Sequence, residues 1–157
     1  MSIKVVRLAD VHRAELHELL LAENWTQLAK ELQEDGLQVF TQYVALVEGH
    51  VAGWLEGTLR YETDMTVSGF PIPWAQVNYV LTHPSMRRKG VAGELLRRFA
   101  HDEGQAGRRF MVLWPDRRDD SSGRLAFFSA YGFQPVPGTE LLGAGLRRVL
   151  TGPAGTH

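Results

Sequence analysis

The sequence contains no cysteine, which excludes disulfides, thiolate metal sites and a cysteine nucleophile. It also lacks an excess of either charge. Its 17 Lys and Arg residues stand against 18 Asp and Glu, for a formal net charge of −1, so nothing global points to nucleic acid or to an anionic membrane. No stretch approaches the roughly 20 apolar residues that a membrane-spanning helix needs. The opening segment MSIKVVRL has no apolar run of the signal-peptide kind. Repeats, linkers and low-complexity segments are absent too. These absences lead to the expectation of a cytoplasmic protein with neither a membrane nor a nucleic-acid partner.

What is present is an ordinary globular composition. The chain has 157 residues, 44% hydrophobic and 22% charged, enough for one domain with a substantial core and cramped for two. A single domain over residues 1–157 is expected, with residues 151–157, TGPAGTH, as a frayed end. Ile3 to Leu8 is β-rich and short enough for a first strand. Asp10 is a reasonable N-cap for a helix whose apolar stripe is Val11, Leu16, Leu19 and Leu20. A second helix runs from about Thr26 to Glu34, closed by Asp35-Gly36. A hairpin follows, with strands near Tyr43–Val47 and Val51–Tyr61 around a turn at Glu48-Gly49-His50. Residues 63–73 read as a loop and Trp74–Thr82 as a strand stopped by His83-Pro84.

A helix is then expected from about Gly90 to Gly104, with Val91, Leu95, Leu96 and Phe99 on its buried face. The stretch Arg108 to Pro115 is a strand with a centre buried on both faces. A polar loop leads from it into a helix over about Arg124–Tyr131, capped by Gly132. The remainder supplies edge strands, Leu146–Leu150 being the better candidate. Two early helices, antiparallel strands and a final strand–helix–strand–helix run give an α/β or α+β domain.

The informative cluster is local. Arg87, Arg88 and Lys89 precede a helix start, where the helix dipole disfavours cations and favours anions. Gly90, Ala92 and Gly93 let a ligand approach the main chain, and the first turn of the helix presents unpaired N–H groups. Such a turn suits a diphosphate. A solvated basic turn, with glycines for tight packing, is the alternative reading of the turn alone.

The wider pattern is more specific. Thr82-x-Pro84 followed by Arg87-x-x-Gly90-x-Ala92 and a helix resembles the acetyl-CoA signature Q/R-x-x-G-x-G/A of the GNAT superfamily of acyl-CoA-dependent N-acyltransferases. The later SSGRLAFFSAYGF, ending in Gly132-Phe133, is similar to that family's second motif. The resemblance implies a single-domain GNAT fold: a mixed, mostly antiparallel central sheet with a splayed strand pair and flanking helices. It further implies that backbone groups of Val80, Leu81 and Thr82 bind the pantetheine arm. Arg88, Lys89, Gly90, Val91, Ala92 and Gly93 would wrap the pyrophosphate, and Arg87 holds the Q/R position. Ser121 falls where the family often has an Asn on the cofactor arm, and Phe128 belongs to the same cofactor-facing set. Acetyl-CoA is the implied co-substrate, no metal is called for, and homodimers are common in the family.

The catalytic pattern departs from the family. An alkylamine with a pKa of about 10.4 is mostly protonated at neutral pH, so its attack on a thioester benefits from a base. The leaving thiolate and the oxyanion need donors. The position of the family's usual acidic Tyr is Phe128 here, and that of its frequent strand carboxylate is Asn78. Tyr131, about 60° around the helix from Phe128, and Ser129 are substitute donors, with packing beneath Gly-Phe as the alternative role for Tyr131. Glu56 is a substitute base, with an exposed or ion-paired carboxylate as its alternative. Glu62 and Asp64 line the cleft at a strand end.

Trp25, Trp54 and Trp74 are candidates for an apolar acceptor wall or for core packing. His12 and His17 do not share a helix face, which argues against a metal pair. His50 falls in a turn and His83 on the surface. Glu23, Glu31, Glu34 and Asp35 make the second helical region acidic, which suits a cationic amine or simply a solvated helix. The expected activity is direct transfer of an acetyl group from acetyl-CoA to a primary amine of a small-molecule or peptide acceptor. The competing expectation is a catalytically silent acyl-CoA-binding or sensing module.

Overall fold

A computed structural model describes residues 1–34, 40–61, 69–115 and 121–153, the side chains of Ser121 and Ser122 excepted. The loop acids Glu62 and Asp64 and the expected stop at Asp35-Gly36 lie outside the described residues. Seven strands form one sheet: β1 (Ile3–Arg7), β2 (Thr41–Val47), β3 (His50–Arg60), β4 (Trp74–Thr82), β5 (Phe110–Leu113), β6 (Gln134–Pro135) and β7 (Leu142–Gly145). Their order is β1-β2-β3-β4-β5-β7-β6. The helices are α1 (Arg13–Ala22), α2 (Thr26–Gln33), α3 (Val91–Gln105), α4 (Ser121–Ala130) and α5 (Leu146–Thr151). β4 and β5 run parallel, paired from Ala75↔Met111 to Val77↔Leu113. The β1–β2, β2–β3, β5–β7 and β6–β7 pairs are antiparallel. This is the mixed, mostly antiparallel sheet that the resemblance implies, within the α/β or α+β class read from the element order.

The chain divides into two compact units, Met1–Gly57 with Tyr79–Leu95, and Thr58–Asn78 with Leu96–His157. In the first, Leu16, Leu19 and Leu20 of α1 and Ala29 and Leu32 of α2 pack with Val44, Val51, Trp54 and Leu81. The β2–β3 turn has Glu48 at φ 52° and Gly49 at φ 81°, the all-positive geometry whose twist matches a two-residue hairpin. A bulge shifts the register between Ala45 and Leu46. In the second unit, Trp74, Phe110, Val112, Val136 and Leu141 form the core, with Phe70 against them. All four residues of β5 are buried, as its unbroken apolar run predicts.

Two expectations are corrected. Leu146–Leu150 is not an edge strand but most of α5, because Leu146 and Val149, three residues apart, are both buried, a helical spacing. The edge on this side of the sheet is β6, Gln134–Pro135, and the glycine-bearing β7, Leu142–Gly145, pairs between it and β5; a Cβ on Gly143 would lie 2.5 Å from the Phe110 ring. Asp10 is not an N-cap either. It opens a 3₁₀ turn over Asp10–His12, where its Oδ1 accepts from Arg13 Nε at 3.1 Å and the Ala9 N–H donates to His12 Nδ1 at 3.0 Å. At the other end, Thr151 closes α5 and Gly152 is buried, its N–H donating to Val149 O at 3.1 Å. Residues 154–157 of the expected frayed end lie outside the described residues.

Candidate active site

The turn that joins β4 to α3 belongs to the first unit. β4 ends where Pro84 removes a backbone donor. His83 then caps a 3₁₀ turn over Pro84–Met86, its Nδ1 accepting from the Ser85 N–H at 3.1 Å. Arg88 has φ 63° and Gly90 φ 90°. A non-glycine residue in the left-handed region carries strain of about 1 kcal/mol or more, and the two positive values flank Lys89. Backbones that alternate in hand aim successive N–H groups into one concavity, the geometry of anion-binding nests.

The Glu94 N–H donates to Gly90 O at 3.0 Å, so Val91, Ala92 and Gly93 occupy the first helical turn, where no preceding carbonyl serves the amides. Only the end of the Ile3 side chain, 3.9 Å away, would meet a Cβ on Gly90. The main chain is open there and Arg87–Gly90 are exposed. These residues fit a diphosphate.

The three cations do not act alike. Arg87 Nη2 donates to Glu23 Oε2 at 3.0 Å. Glu23 is the C-cap of α1, where the dipole favours a cation. The protein itself therefore partly neutralises Arg87. This pairing across 64 positions of sequence had no signal in the motif.

Behind β4, Gly53 of β3 has no room for a side chain. An added Cβ would lie 2.6 Å from Val91 Cγ1, 2.9 Å from Leu81 O and 3.2 Å from Leu95 Cδ1. This glycine thus sets how closely β3 approaches both the strand that ends at Thr82 and the first turn of α3. The His83 N–H donates to Ala52 O at 2.7 Å beside it.

Also in the first unit, Tyr79 of β4 stacks on Trp54 at 6.0 Å and 13°, and Trp25 meets both rings, at 5.4 and 6.4 Å. Trp54 is fully buried, and its Nε1 donates to Gln42 Oε1 at 3.0 Å. Gln42 lies directly across from Glu56 in the β2–β3 register. Glu56 is 2% exposed; the exposed alternative for this carboxylate is ruled out. Trp74 packs against Phe110 in the second unit. Tyr79, on the partner strand, was the missed aromatic.

The second unit holds the other candidates. α4 begins at Ser121, three residues ahead of expectation, and ends in a cap at Gly132, φ 92°. The Gly132 N–H donates to Ser129 O at 2.9 Å and the Phe133 N–H to Phe128 O at 3.1 Å. This is a Schellman motif, and the Phe128 and Phe133 rings, 5.6 Å apart, are its hydrophobic contact. Phe128 is thus buried as part of the helix cap. Tyr131 is also buried, its ring 5.0 Å from Phe127 with the Arg97 guanidinium 5.8 Å over it; Ser129 is exposed. Arg148 of α5 closes over this end of α4: its Nη2 donates to Ala130 O at 2.7 Å and its Nη1 to Gly152 O.

Asn78 sits in a directed line of amides. Arg60 Nη1 donates to Gln76 Oε1 at 2.8 Å, and Gln76 Nε2 donates to Asn78 Oδ1 at 2.9 Å. A guanidinium only donates, which fixes the sense of the line. The period-2 spacing of Gln76 and Asn78 was a legible signal for it. No group of three or more acidic, His or Cys side chains able to hold a metal occurs among the described residues.

Comparison with known proteins agrees with this geometry. The family model described as an acetyltransferase (GNAT) domain matches residues 12–136.

The chain belongs to the GNAT acetyltransferase family.

Solved GNAT structures share the fold of this family member at low identity. The aminoglycoside N-acetyltransferase AAC(6')-Iy in complex with CoA is 17% identical, with a TM-score of 0.72 over 88% of this chain and 91% of that one. The Escherichia coli GNAT protein YhbS in complex with CoA is 20% identical, with a TM-score of 0.64 over 98% and 87%. A GNAT acetyltransferase from Brucella melitensis in complex with acetyl-CoA is 18% identical, with a TM-score of 0.62 over 92% and 88%. No curated protein sequence matches the chain.

Proposed function

We propose that this GNAT chain transfers an acetyl group from acetyl-CoA directly to a primary amine. The observation that carries this reading is the β4–α3 turn, where left-handed Arg88 and Gly90 open the main chain at a helix start. Diphosphate binding there by the amides of 88–93, with Arg88 and Lys89 adding charge, leaves the pantetheine arm to pair with the backbone of Val80–Thr82. Structural neighbours in complex with CoA or acetyl-CoA support the same use of the fold.

The amine nitrogen attacks the thioester carbon, the C–S bond breaks and the nitrogen loses a proton. Glu56 is the proposed proton acceptor. It is buried and faces the same side of β3 as Trp54. Ser129 is the proposed donor to the departing sulfur, directly or through water, with Tyr131 as the second candidate. One observation favours the second reading, a silent acyl-CoA-binding module: Phe128 is committed to the Schellman cap of α4 and has no proton to give.

Calorimetry with CoA, together with thiol release from acetyl-CoA over a panel of amines, tests both readings. The transferase reading expects binding, turnover with at least one amine, and turnover changed less than about threefold by Phe128→Tyr. Binding without turnover across the panel, with activity gained in Phe128→Tyr, overturns it in favour of the silent module. No binding of CoA overturns both.

A further inference from the structure

The aromatic cluster on the first unit has a chemistry of its own. Tyr79 stacks on a buried tryptophan and touches a second, yet remains 38% exposed. The face of an aromatic ring is electron-rich and attracts organic cations within about 6 Å of its centre. A carboxylate accompanies the rings. Trp54 and Glu56 are two residues apart on β3, so they share a face at about 7 Å along the strand. Gln42 lies across from Glu56 in the register, and its Oε1 accepts from the Trp54 indole N–H. Glu56 is 2% exposed, and a carboxylate shielded from bulk water acts on a nearby cation through a lower dielectric.

The place of this cluster along the chain matters equally. If the diphosphate lies at 88–93 and the arm runs back over Val80–Thr82, the acyl end falls next toward Tyr79. The inference therefore rests on the proposed CoA reading for its role, though not for its chemistry.

We propose that Trp25, Tyr79 and Glu56 form an acceptor subsite for an organic ammonium flanked by hydrocarbon. The rings take the alkyl or aryl flank and the ammonium, and the carboxylate balances the charge. A quaternary ammonium has no transferable proton and no nucleophilic lone pair, so it occupies such a subsite without reacting. Choline and its neutral isostere 3,3-dimethylbutan-1-ol are matched probes, followed by tryptophan fluorescence of the full chain, with CoA binding measured in parallel by calorimetry.

Choline is expected to bind about tenfold more tightly than the isostere. Tyr79→Leu is expected to abolish that preference and Tyr79→Phe to keep it, with CoA affinity within twofold of the parent in both. Glu56→Gln is expected to cut choline affinity without improving the isostere. Equal binding of the two probes, binding of neither, or an unchanged preference in Tyr79→Leu overturns the subsite. Loss of CoA binding with the preference for choline intact overturns the CoA reading and the acceptor role alone.

Discussion

Replacing Glu23 with Gln should tighten CoA binding. In the free protein Arg87 donates to Glu23 at 3.0 Å, with the two side chains 55% and 20% exposed. A half-exposed pair of this kind contributes about 0.2–1 kcal/mol, because solvent and salt screen it. If the diphosphate draws Arg87 away, binding forgoes that contribution; Glu23→Gln removes the competition. The gain converts to a CoA Kd lowered by about 1.4- to 5-fold. The effect should shrink as ionic strength rises through the range where the Debye length falls from ~10 to ~3 Å.

Calorimetry on the four corners of a cycle, parent, Glu23→Gln, Arg87→Ala and the double variant, isolates the pair. The gain from Glu23→Gln should vanish when Arg87 is already alanine. A weaker CoA complex in Glu23→Gln, or a gain that survives in the Arg87→Ala background, refutes the competition. Such a result would instead make Glu23 a residue that holds Arg87 ready for phosphate.

Two further outcomes follow from packing. Gly53→Ala should destabilise the fold by about 1–3 kcal/mol and weaken CoA binding, since its methyl would press on Leu81 O and Val91 together; urea denaturation and calorimetry on one preparation check both. Arg148→Ala should lower stability by about 1–3 kcal/mol by leaving the Ala130 carbonyl without its charged donor, while CoA affinity stays within twofold; a drop in CoA affinity alone would count against this.

Much of this was legible along the chain because local chemistry decides it. β4 runs from Trp74 to Thr82 and stops before His83-Pro84 as expected, and α3 begins one residue after Gly90. The strand β7 was missed because Leu142–Gly145 is rich in glycine, poor in strand propensity, and is selected by its tight fit to Phe110. Propensity does not register a missing Cβ that a distant ring requires. At the site, the glycines and cations of the turn were visible. The left-handed Arg88 was not, since sequence favours Gly, Asn or Asp for that conformation. The Arg87–Glu23 pair and the Trp25–Trp54–Tyr79 cluster join residues from α1 to β4, and only the fold brings them together.

Arg148 has one more consequence. The end of α4 that carries Phe128, Ser129 and Tyr131 is clasped by α5, whereas the β4–α3 turn is built from a different compact unit. Local unfolding of α5 would reach the proposed donor first. If the proposed transferase reading holds, a preparation nicked or bulkily fused near Gly152 would still bind CoA while turning over slowly, and CoA binding alone would be a poor measure of its activity.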